Sequence, residues 1–180
     1  MIIEDGTGTG NKAEVTPANH LAVQAITESA VAHASKSGDS YSWDSTELDI
    51  DVNDTMLFVK NLSATTLEID RIIINGSNVI CTWEILIGSA STTPAGTVVT
   101  GVNLDESSST KLADVTALSD ETAVAAGSII ARVKTPITNT LDLKWEGVRL
   151  GKNHYIQVDQ KTESTSGSVI IIGHYDVEGN

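Results

Sequence analysis

The sequence has one cysteine, Cys81, so it forms no intrachain disulfide and no cluster of thiolates around a metal. Cys81 lies between Ile80 and Thr82-Trp83 in an apolar run, where a lone cysteine serves as a small buried hydrophobe. Aromatic residues are scarce: Tyr41, Trp43, Phe58, Trp83, Trp145, Tyr155 and Tyr175 are all there are. A core must therefore be built from aliphatic side chains. Positive charge is also short, with 11 Lys and Arg against 24 Asp and Glu and a net charge of −13. A surface of that sign repels phosphate backbones and anionic lipid, which excludes nucleic acid and membranes as expected partners. No apolar run approaches the ~20 residues of a membrane span, and Met1-Ile-Ile leads straight into Glu4-Asp5 without the pattern of a signal peptide.

What is present is rich in Val, Ile and Thr, the residues that suit a pleated surface. From Tyr41 onward the hydrophobic period is two. Leu48, Ile50 and Val52 alternate with acidic neighbours. Further strands are predicted over 55–62, 67–75, 79–88, 97–103, 128–134, 141–146, 153–159 and 168–176, with turn residues at 63–66, 75–77, 94–96, 151–153 and 164–167. In 128–134, Ile129, Ala131 and Val133 are expected on one face, Arg132 and Lys134 on the other. The stretch 104–126 reads as a long loop with one helical turn. The expected fold is all-β, a jelly-roll-like antiparallel β-sandwich over residues 41–180.

Residues 1–40 read as an N-terminal arm. Glu4 to Asn11 is small, polar and glycine-rich, and Ala18 to Ser35 is rich in alanine. The alanines would support a helix, while Leu21, Val23 and Ala25 alternate as in a strand; the arm is read as extended and as binding a capsid or a neighbour.

Three strands break the alternation of a half-buried sheet. Met56 and Phe58 oppose Leu57 and Val59, Ile72 and Ile74 oppose Ile73, and Val169 and Ile171 oppose Ile170 and Ile172. Something must cover the second apolar face, since large exposed patches are rare on monomers. The arm, the 104–126 loop or another subunit are the candidates. A subunit interface is expected, formed by Ile3, Val15, Leu21, Val23, Ile26, Met56, Phe58, Ile170 and Ile172.

No motif for chemistry survives scrutiny. Gly6, Gly8 and Gly10 do not fit a phosphate loop, since only three residues precede Glu4-Asp5 and Asn11, not lysine, follows Gly10. Asp49-Ile-Asp51-Val-Asn53 opens like a calcium loop, but Asp54 and Lys60 stand where glycine and glutamate are needed. His20, His33, His154 and His174 have no metal-ligand spacing, and His154 and His174 read as surface or interface residues. No serine sits in a nucleophile elbow. No catalytic residue, cofactor or metal is expected, and the chain reads as non-enzymatic. Trp145, between Lys144 and Glu146, is the candidate for an exposed ring on which a sugar stacks; a glycan pocket near Trp145 or Tyr155 is the rival to a purely structural role.

The opening residues carry a resemblance. Ile3-Glu-Asp-Gly-Thr-Gly-Thr-Gly-Asn-Lys-Ala-Glu-Val15, followed by Asn19-His-Leu-Ala-Val-Gln-Ala-Ile-Thr-Glu28, resembles the start of small virion proteins of tailed bacteriophages, and Ser168 to Tyr175 fits their closing hydrophobic strand. The resemblance implies a structural component of the phage particle, with no catalytic residues to carry over. It further implies a capsid decoration (cement) protein, trimeric, that binds the major capsid protein on the outer surface of the virion and is assembled in the host cytoplasm. A tail, neck or fibre-base protein is the alternative.

Overall fold

The computed structural model describes residues 2–4, 12–14, 30–46, 48–50, 54–76, 79–89, 95–105, 107, 110–121, 127–137, 139–162 and 164–176. The glycine-rich stretch 5–11, His20, and the interface candidates Val15, Leu21, Val23 and Ile26 lie outside these residues.

Among the described residues one helix, α1 (Ala30–Lys36), accompanies strands β1 (Ile2–Glu4), β2 (Lys12–Glu14), β3 (Ser40–Asp44), β4 (Leu48–Ile50), β5 (Thr55–Asn61), β6 (Leu67–Asn75) and β7 (Cys81–Ser89). They are followed by β8 (Thr97–Val98), β9 (Val102–Asn103), β10 (Val115–Glu121), β11 (Ser128–Thr135), β12 (Thr140–Leu150), β13 (His154–Gln160) and β14 (Ser164–Tyr175). One large sheet has the order β11-β7-β13-β5-β10-β8, the other β12-β6-β14-β3-β9, with β4 also paired to β14. Every pairing is antiparallel. The fold is an all-β sandwich. β1 and β2 form a separate two-stranded sheet with Ile3 opposite Ala13.

The core lies between the two large sheets. Leu57, Val59, Ile85, Trp83, Ile156 and Val158 enter it from the first, and Tyr41, Trp43, Ile69, Ile72, Ile74, Val169 and Ile171 from the second. Cys81 is buried there as expected, beside Trp83, whose indole donates to Thr135 Oγ1 at 2.8 Å, which satisfies its one polar atom. Tyr41 and Trp43 are fully buried core residues, stacked with ring centroids 6.0 Å apart.

The outward face of the first sheet corrects the reasoning about subunits. The cross-strand row Leu118, Phe58, Gln157, Leu86, Ile129 points away from the core. Its exposures are 4 %, 0 %, 2 %, 6 % and 41 % in a single chain. Phe58, Leu118 and Tyr155 form a second small cluster, with the Phe58 and Tyr155 rings 5.0 Å apart. Met56 is fully buried too. Both faces of β5 are thus covered within the single chain, and Met56 and Phe58, expected at a subunit interface, have no exposed surface there. Ile170 and Ile172 remain half-buried on the outer face of the second sheet, beside Ile73 and Arg71.

Three other expectations change. A register shift between Ile129 and Ala131 turns Ile129 outward, and half-buried Ile130 packs on the core in its stead. The 104–126 segment contains β10, whose Val115, Ala117 and Ser119 face inward against β5. Residues 30–36 are helical, not extended, consistent with alanine at 30, 32 and 34. α1 packs on β14 and β3, burying Ala34. Its end is set by Gly38 at φ +69°, where Asp39 N donates to Ala34 O at 2.8 Å and Gly38 N to Ser35 O at 3.0 Å. That pair of bonds satisfies the last carbonyls and requires a left-handed residue, which only glycine adopts at little cost.

Candidate functional site

A cavity of about 650 Å³ opens at one end of the sandwich. Its walls come from five separate segments: Asp39 with Tyr41, the β5–β6 turn 63–66, residues 111–114 before β10, Arg149 of β12, and Tyr175-Asp176 at the end of β14. Fully buried Asn61 joins two of them, the 63–66 turn and the end of β12. Its amide nitrogen donates to Thr65 O and to Leu150 O, both at 2.8 Å, and its Oδ1 accepts from Ser63 N at 2.9 Å. Leu62 N donates to Asp114 O, Asp176 N to Thr66 O and Tyr175 N to Asp39 O, each at 2.9 Å. The cavity is therefore walled by backbone held in place by the sandwich, a prearranged site and not one assembled on demand.

Two ion pairs line it. Lys111 Nζ lies 2.5 Å from Asp39 Oδ1, and the Arg149 guanidinium contacts Asp176 while its Nε lies 2.9 Å from Glu68. The carboxylate of Asp114 makes no hydrogen bond or ion pair among the described residues; only its backbone carbonyl is engaged, by Leu62 N and by the Tyr175 hydroxyl at 3.1 Å. Burial, reinforced by the nearby Asp114 charge, holds the Tyr175 phenol well above its ordinary range, so it acts only as a neutral donor. Tyr41 is raised for the same reason, by burial and then by Asp39.

Behind the Arg149 wall lies a charged network that sequence reading missed. A bulge in β6 leaves Asp70 as an extra residue opposite the Ile172/Gly173 step of β14. This brings its carboxylate 2.9 Å from Nδ1 of His174, which is 3 % exposed, with Glu68 at 3.8 Å from Nε2. The hydrogen bond that Asp70 accepts from His174 raises the His174 pKa, against the opposing effect of burial. His174 is thus neither a surface nor an interface histidine, and it sits in the other sheet from exposed His154.

A second network lies on the outer face of the first sheet, where Glu84 and Asp159 are directly opposed. Arg132 Nε at 2.7 Å from Glu84 holds that carboxyl below its usual range. Burial pushes Asp159 up, although Thr55 Oγ1 donates to it at 2.7 Å and Gln157 at 3.1 Å. Two carboxyls with divergent acidity are the raw material of acid–base catalysis, but Asp159 is only 7 % exposed and bounds no cavity described here. Trp145, expected to offer an exposed ring, is half-buried and packs on the core, and Tyr155 is buried. Among the described residues no group of three His, Cys, Asp or Glu is placed to hold a metal ion.

The chain was compared with family models, curated proteins and solved structures, and none of them matches it.

Proposed function

We propose that this chain is a structural protein of a tailed-bacteriophage particle, a capsid decoration protein that binds and reinforces the head shell. The observation that carries the reading is the opening segment, Ile3 to Glu28, with its likeness to small virion proteins, set before an antiparallel sandwich. Successive strands from β5 to β7 and from β11 to β14 switch sheets, which suits a jelly-roll-like winding. The fold alone implies no function, so the placement of side chains matters. The long edge strands β11 and β12 carry bulges and the charged residues Arg132, Lys134, Asp142, Lys144 and Arg149, devices that discourage strand addition. The opposite edges, β8 and β9, are two residues each and present Val98 at 76 % and Val102 at 64 % exposure, with Leu104 also exposed. That edge, together with residues 1–28, is the surface offered to the major capsid protein and to further copies in a trimer.

The test is reconstitution on particles that lack the protein. Full-length chain is expected to bind shells in many copies and to raise their resistance to heat, and chain lacking residues 1–28 to fold but not bind. A handful of copies per particle, seen by quantitative imaging, would move the protein to the tail or neck.

A further inference from the structure

We infer that the cavity at the end of the sandwich is a binding site for a neutral saccharide. The inference is independent of the assembly role, because it rests on the cavity and not on the opening segment or the β8–β9 edge.

The size and rigidity come first. A volume of about 650 Å³ falls within the ~300–1,000 Å³ of small-molecule sites. The walls are fixed by backbone hydrogen bonds and by Asn61, so binding requires little ordering of the protein.

The chemistry of the walls then selects the ligand. Asp39 with Lys111 and Asp176 with Arg149 each set an acceptor beside a donor. The hydroxyl of Thr66 and the unengaged carboxylate of Asp114 add further polar groups. An apolar ligand would strip water from all of these and return nothing. An anion would face three carboxylates against two cations, inside a molecule of net charge −13. A cation would find Asp39 and Asp176 already paired and only Asp114 unengaged. A ring bearing neighbouring hydroxyls is donor and acceptor at each position, so it can bridge a carboxylate and a cation without breaking either ion pair. Exposed Leu112 and Ala64 at the rim suit the C–H face of such a ring. Tyr41 and Tyr175 are too buried to offer an open stacking platform, so recognition runs through hydrogen bonds.

The experiment titrates the isotope-labelled full chain, followed by amide chemical shifts, with neutral hexoses, N-acetylhexosamines and their disaccharides. A hexuronate and a hexosamine of the same ring size serve as anionic and cationic controls. Neutral sugars are expected to bind with dissociation constants of about a millimolar or below and to shift residues 63–66, 111–114 and 175–176. Asp114→Ala is expected to weaken binding about tenfold, and Ala64→Trp, which plugs the mouth from an exposed position, to abolish it. Neither side chain contributes a described contact to the fold, and unchanged thermal unfolding would verify that both variants are intact. Absence of shifts with every neutral sugar would overturn the inference, as would shifts that persist in Ala64→Trp or a preference for either charged control.

Discussion

His174 combines near-complete burial with contact to two carboxylates, and its surroundings determine how the molecule should respond to pH. The charged groups facing it are Asp70 and Glu68 of β6, Arg149 of β12 through Glu68, and Asp176. Its folded pKa is raised above the unfolded value of about 6.5, chiefly by the Asp70 hydrogen bond. The stabilisation is therefore complete below about pH 6.5 and is lost as pH rises through the higher folded pKa. Stability measured by urea unfolding is expected to fall across that window in the native protein, and the fall should be absent in His174→Gln. A native profile that is flat there would show that the imidazolium contributes nothing. The network was illegible in the sequence because it depends on a one-residue bulge: without the extra Asp70, no pattern brings that carboxylate to His174.

At the scale of elements, Gly173 marks the point where β14 meets that bulge. A Cβ built on it would lie 2.5 Å from the backbone carbonyl of Glu68, which has no freedom to retreat within the sheet. Gly173→Ala is expected to destabilise the protein by about 1–3 kcal/mol, read as a lower urea midpoint, with partial loss of the His174 pH dependence as the strands part. Retention of both would mean that β6 shifts freely. The strands β5, β6, β7, β13 and β14 were legible from their apolar runs, because their inward positions are filled by Leu, Ile, Val and Trp. β10 was not, since Ser119 occupies an inward position and Ala117 favours helix as readily as strand. β3 is faint in the sequence because only Tyr41 and Trp43 carry its alternation, directly after the polar turn that ends α1. Helix α1 shows the converse: alanines that fitted two structures adopt the one that lets Ala34 pack on the sheet.

Considered as a whole molecule, the sandwich has, among the described residues, no ladder in its two large sheets between strands adjacent in sequence. β5 pairs with β10 and β13, β6 with β12 and β14, and β3 with β14 and β9. Loop closure must be completed before most contacts form, which places refolding at roughly milliseconds to seconds or slower. Stopped-flow dilution from urea should show this; a microsecond phase carrying the full amplitude would contradict it. The all-β class was readable from period-two patterning, yet the cavity was not, because its five walls are scattered from residue 39 to residue 176 and meet only in the folded state.

One position in that topology bears on how the polypeptide is made. β14 follows every other described strand in the chain, yet it lies in the middle of its sheet, between β6 and β3. Until its residues have cleared the ribosomal tunnel, those two strands have unfilled edges and the second layer cannot close. Translation must therefore pass Tyr175 before the sandwich can fold. In that interval the surplus of acidic side chains, by mutual repulsion, keeps unfinished chains apart.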